Sequence, residues 1–164
     1  LSVYIPAELR RRIRSHFLQR CAYCQSSESL TVVTFEVEHI HPLSLGGQTE
    51  FENLCLACPT CNRHKANRVI GLTDEGAEAR LFHPHRDNWL DHFDWSLNSL
   101  VIVGLTEIGI ATVNLLRMNR PQLVEVRSLW IIVEPITPWT QTSSTGRAIS
   151  GLNLDCYLEY LPCC

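Results

Sequence analysis

An α+β fold follows from three features of this 164-residue sequence. A Cys-x-x-Cys pair at Cys21 and Cys24 is answered by a second pair at Cys58 and Cys61. Between them, residues 31–38 are β-branched and aromatic with partial alternation, the pattern of one or two short strands. Apolar residues at helical spacing, on both sides of this segment, supply the α component.

Pro6, at a first helical position, opens a helix over residues 7–19 on which Leu9, Ile13, Phe17 and Leu18 form the apolar side and the arginines take the other faces. The strand segment delivers Glu38 and His39 at its end, and Pro42 prevents its continuation. Residues 43–49, with Gly46 and Gly47, read as a loop, residues 51–54 as a helical turn, and residues 61–68 as a short helix. Residues 71–76 read as a loop, and a second unit begins near Leu81. Residues 96–99 suit the turn of a β-hairpin between an aromatic stretch, 89–95, and an apolar one, 100–103. Thr106 is a suitable N-cap for a helix over residues 107–118, with Ile108, Ala111, Thr112, Leu115 and Leu116 on one face. Pro121 starts a further helix to about Val133, closed by Pro135 and Pro138, and residues 140–145 form a Ser/Thr-rich linker.

Composition is that of a soluble globular chain, 45% hydrophobic and 19% charged, with no apolar run of membrane-spanning length. The N-terminus does not have the charge-then-apolar order of a signal peptide, which favours the cytoplasm. The formal net charge is −3 and unevenly spread: residues 1–68 hold eight basic and six acidic residues, and the remainder six and eleven. The positive balance therefore accompanies the cysteine knuckles, although a solvated helix face would show the same pattern.

Eight cysteines could form disulfides, but the paired two-residue spacing points to thiolate ligation. Each knuckle can turn both sulfurs toward one tetrahedral ion, so Cys21, Cys24, Cys58 and Cys61 are expected to hold a structural Zn²⁺. Cys55 is left as a small buried hydrophobe.

The residues enclosed by the knuckles carry a second kind of chemistry. Phosphodiester hydrolysis needs a nucleophilic water, charge compensation at phosphorus and help for the leaving oxygen. His39 suits the base, because imidazole titrates near neutrality. Glu38 offers the hard oxygen preferred by Mg²⁺ or Mn²⁺. Neighbouring side chains on a strand point to opposite faces, so the two can share a site only at a strand end or kink. Asn62 directly follows the last thiolate ligand, which would place its amide oxygen.

The run Cys21-x-x-Cys24, Val37-Glu38-His39-Ile40, Pro42, Gly46-Gly47, Asn53-Leu54, Cys58-x-x-Cys61-Asn62 and Lys65 resembles an HNH endonuclease of the ββα-metal class, over about residues 21–68. The resemblance implies a ββα-metal core stapled by the four-cysteine zinc. It makes His39 the general base, Glu38 and Asn62 ligands of the catalytic cation, and Asn53 the residue that holds the loop and orients the base. Glu38 stands where Asp is commoner, adding one methylene to the reach. Residues from about 81 to 130 resemble the C-terminal extension of small stand-alone HNH proteins. The expected organisation is thus an N-terminal helix (1–20), the nuclease core (21–70), an extension with a small β-hairpin and helices (71–137), and a tail (138–164) resembling nothing identified.

The expected activity is cleavage of DNA, with Arg63, Lys65, Arg68 and His41 as candidates for contacting phosphates. Arg10, Arg11, Arg12 and Arg14 offer a second, weaker patch. His83-Pro84-His85 is a minor metal-site candidate, and His16 and His92 read as structural or solvent-facing. The alternatives are a zinc-stabilised nucleic-acid-binding module without turnover and an interaction protein that leaves the site idle.

Overall fold

The computed structural model describes residues 4–133. The expected tail, its linker and Cys156, Cys163 and Cys164 lie outside the described residues. Helix α1 (Ala7–His16) buries Ile13. It stops short of residue 19 because Leu18 and Gln19 take left-handed φ angles of 50° and 57°, which reverse the chain toward the first knuckle.

Strands β1 (Glu36–His39) and β2 (Leu54–Ala57) pair antiparallel, Glu38 opposite Cys55 and His39 opposite Leu54. Only the end of the expected strand segment pairs. Thr31 instead spends its hydroxyl on Glu28 O and Val33 O, a local competition with the ladder that Thr side chains can win. Helix α2 (Pro59–Lys65) starts with Pro at its first turn and a Cys58 N-cap, so it begins two residues before Cys61. It ends where Ala66 turns to φ 49°.

The C-terminal unit holds two hairpins, one more than expected. Strands β3 (Ile70–Leu72) and β4 (Glu78–Arg80) pair where a loop over residues 71–76 was expected. Gly71 is a packing glycine, not a turn glycine: a Cβ there would come within 2.8 Å of Ala111 O. Gly76, at φ 81°, makes the turn. Helix α3 (Trp89–His92) leads into β5 (Phe93–Trp95), which pairs with β6 (Ile102–Gly104) as the expected hairpin. Helix α4 (Glu107–Leu116) is capped by Thr106, whose Oγ1 accepts from Gly109 N at 3.2 Å. It ends two residues early, because Arg117 adopts φ 49°. Helix α5 (Pro121–Val133) follows.

One apolar core joins the two parts, with Ile13, Tyr23, Leu54, Leu56, Phe93 and Leu116 fully buried. Each such burial contributes about 1.5–3 kcal/mol against the entropy of ordering the chain. Polar ties cross the same boundary. Trp89 Nε1 donates to Tyr23 O at 3.0 Å, and His85 Nε2 to Leu54 O at 2.8 Å. The knuckles and the C-terminal unit therefore position each other. Among the described residues no helix is long and apolar enough to cross a membrane.

Candidate metal centre and active site

Cys21 and Cys24 occupy the turn after α1, where Gln25 N bonds Cys21 O at 3.0 Å and Ala22 N reaches Leu56 O on β2 at 2.8 Å. Cys58 and Cys61 bracket the start of α2, with Cys61 N donating to Cys58 Sγ at 3.4 Å. All four side chains are buried, and their sulfurs lie within 4.8 Å of one another. Cys24 Sγ and Cys58 Sγ are 3.8 Å apart. A tetrahedron with Zn–S bonds of about 2.3 Å has an edge of about 3.8 Å, so the donor set fits Zn²⁺. Burial pushes the Cys21 thiol up, whereas hydrogen bonds from Cys21, Cys58 and Cys61 hold Cys24 down.

Arg127, on α5, is fully buried, with its guanidinium 5.0 Å from the Trp95 ring centroid. Its Nη1 bonds Leu100 O at 2.9 Å, but Nε and Nη2 have no hydrogen-bond partner among the described residues. Arg127 and Cys24 line the same small cavity. A zinc tetrathiolate would be net negative, and Arg127, a buried cation beside the thiol cluster, would offset that charge. No local pattern in α5 signals that role, because it depends on packing against a knuckle a hundred residues earlier in the chain.

Glu38 points inward from β1 and is 6% exposed; Lys65, on α2, is 2% exposed. Lys65 Nζ lies 2.6 Å from Glu38 Oε1 and also donates to His39 O at 3.0 Å. Burial pushes the Glu38 carboxyl up to about 7, against the opposing pull of Lys65. Glu38 Oε2 is left buried with no hydrogen-bond partner among the described residues. One turn earlier on α2, Asn62 Nδ2 donates to Glu36 Oε2, and its Oδ1 accepts no bond among the described residues. The two free oxygens have the hard-donor chemistry a divalent cation needs.

His39 is the last residue of β1, half-buried, where the chain bends. Its Nε2 is 2.9 Å from Thr49 Oγ1. With Nε2–H donating to that hydroxyl, Nδ1 keeps a free lone pair. Burial, and secondarily Lys65, lower its pKa from 6.5, which favours the neutral ring.

Asn53 joins β2 to the loop. Its Oδ1 accepts from His41 N at 2.8 Å, and its Nδ2 donates to His41 O at 3.0 Å and Gln48 O at 2.8 Å. Gln48 precedes Thr49, so Asn53 reaches the His39 ring through the loop. Gly47 fits beneath it because a Cβ would come within 1.9 Å of His41 O. Thr49 is absent from the sequence expectation, and the only local signal is its place after the glycine pair.

The candidate phosphate-facing residues divide. Arg63, Arg68 and His41 are exposed, whereas Lys65 is not on that surface, being consumed by Glu38. In α1, Arg14 pairs with Glu28 and donates to Phe35 O at 2.8 Å, Arg11 pairs with Glu8, and Arg12 lies 4.0 Å over the Phe51 ring. These arginines are largely engaged within the protein. Among the described residues the four thiols are the one converging group of three or more Cys, His, Asp or Glu, so His83 and His85 belong to no such cluster.

The family model for HNH endonucleases matches residues 21–68. Residues 21–68 are an HNH endonuclease domain. No curated protein and no solved structure matches the chain. The HNH domain begins at Cys21, the first cysteine of the thiol cluster, and ends three residues beyond α2, so the match coincides with the ββα unit and that cluster. Glu38, His39, Asn53 and Asn62 all fall inside it, while Arg127 and the two C-terminal hairpins are contributed from outside.

Proposed function

We propose that the protein is a divalent-cation-dependent DNA endonuclease. The observation that supports this reading best is the state of His39: Nε2 engaged by Thr49, Nδ1 free, and the ring biased toward neutrality. His39 Nδ1 takes the proton of a water as its oxygen bonds to phosphorus, and the bond from phosphorus to the leaving oxygen breaks. Glu38 and Asn62 would hold the Mg²⁺ or Mn²⁺, through the oxygens that lack partners. Charge compensation at phosphorus is the chemistry a bound cation supplies. Asn53 keeps the loop, and through Thr49 the base, in register. Arg63, Arg68 and His41 stand exposed for backbone phosphates.

A plasmid-nicking assay with and without added divalent cation, comparing the parent chain with His39→Ala, tests the reading. Cation-dependent nicking abolished by His39→Ala is expected. Salt-sensitive DNA binding with no nicking would replace the nuclease with a zinc-stabilised binding module, a reading favoured by the occupation of Glu38 Oε1 by Lys65.

A further inference from the structure

A cavity of about 370 Å³ opens where the HNH domain meets the C-terminal unit. That is within the range of small-ligand sites, about 300–1,000 Å³. Its apolar wall includes Ile40, Val69 and Phe82, and its polar wall includes His41, His83 and Arg86. Lys65 also lines it, and the same ammonium holds His39 O, so the cavity borders the backbone of the candidate base.

The polar groups favour an anion. Asp87, the carboxylate in the lining, is already occupied: Arg80 grips it at 2.6 and 2.9 Å, and His83 N donates to it at 2.8 Å. Arg86 is exposed; its backbone N–H donates to His83 O at 3.0 Å, and its guanidinium makes no hydrogen bond or ion pair among the described residues. His83 Nδ1 accepts from His85 N at 3.3 Å, so its ring proton sits on Nε2, a donor with no partner among the described residues. Burial, then the neighbouring Arg86, depress that imidazole to about 4, keeping it a neutral donor at pH 7.

We propose that this cavity binds one nucleotide of the DNA strand beside the cleavage site, the base against Ile40, Val69 and Phe82 and the phosphate on Arg86 and His83. The identity of the strand rests on the endonuclease reading; the nucleotide chemistry rests on the cavity alone. An apolar slot with a forked cation at its rim matches a planar base carrying a phosphate.

The probe is thymidine 3′,5′-bisphosphate, titrated into the zinc-loaded full chain without added divalent cation while the His41 and His83 imidazole NMR signals are followed. Both signals should shift saturably. Arg86→Ala, a substitution at an exposed position, should weaken binding about tenfold, and Arg86→Lys, which keeps the charge without the fork, should weaken it less. A short single-stranded oligonucleotide should displace the bisphosphate. Silent imidazoles, or an unchanged response in Arg86→Ala, would overturn the site, and a bisphosphate that resists displacement would overturn the strand assignment. Nicking by the same preparation keeps the two ideas apart: nicking with silent imidazoles removes the cavity but not the nuclease, and responsive imidazoles without nicking do the reverse.

Discussion

Lys65 Nζ lies 2.6 Å from Glu38 Oε1, with both side chains buried. The pair ties α2 to β1 at the level of His39, whose carbonyl the same ammonium also holds. Since α2 begins in the second cysteine knuckle, the thiol cluster and the candidate catalytic strand are one mechanical unit. Removing one partner leaves an unpaired buried charge, so Lys65→Met should destabilise the domain by about 3–5 kcal/mol. Replacing both, as Lys65→Met with Glu38→Leu, should recover most of that loss in denaturant melts. Additive losses in the double variant would deny the coupling.

Zinc removal should unfold the HNH domain. Structural zinc contributes about 10–16 kcal/mol in small zinc modules, comparable to or above the whole net stability of a domain of this kind. Cys58→Ser should therefore lower bound zinc, measured by mass spectrometry of the metal, and abolish the cooperative thermal transition. A chelator should do the same to the parent chain. Retention of a full transition in metal-free protein would contradict the staple.

His39→Ala should cut turnover by about 10²–10⁴-fold without altering the thermal midpoint much. The base works only when unprotonated, and its pKa is lowered from 6.5, so activity should persist below that pH before the acid limb falls. An acid limb in kcat/KM centred above 6.5 would count against His39 as the base.

Asn53 is 8% exposed and makes three hydrogen bonds that close the loop over Gly47. Asn53→Ala should cost about 2–4 kcal/mol, because it orphans backbone groups of His41 and Gln48. Asn53→Asp keeps the acceptor for His41 N but loses both donated bonds, and should also misplace Thr49. Its signature is lost turnover in protein that still holds zinc. Full activity in Asn53→Asp would separate the loop from the base.

His83 supplies a pH dependence of stability. Its folded pKa, about 4, lies below the ordinary 6.5, so between those values the unfolded chain binds more protons and stability falls as pH falls. His83→Asn removes that contribution. Its denaturant midpoint should vary less than the parent's from pH 6.5 to 4, and parallel profiles would refute the assignment.

The thiol cluster was legible in the chain because it is written at short range. Two residues between cysteines place two sulfurs on one turn, and Thr106 caps α4 because its hydroxyl needs only Gly109 N three residues on. The hairpin β5–β6 and the start of α5 at Pro121 follow from equally local signals. Gly71 shows the opposite case: as a residue type it suggests a loop, but Ala111 O from a distant helix makes it a packing position inside β3.

Chain order alone sets the residue types at the knuckles, at the end of β1 and in the loop, and with them the ββα core and its donor atoms. What each charge does depends on the packing of distant segments. Lys65 reads as a surface cation on a short helix but is buried on Glu38, Arg14 is turned to Glu28, and Arg127 is buried beside the thiol cluster. The physical reason is that propensity and ligand spacing act within a few residues, whereas desolvation and ion pairing depend on which distant segments the core brings into contact.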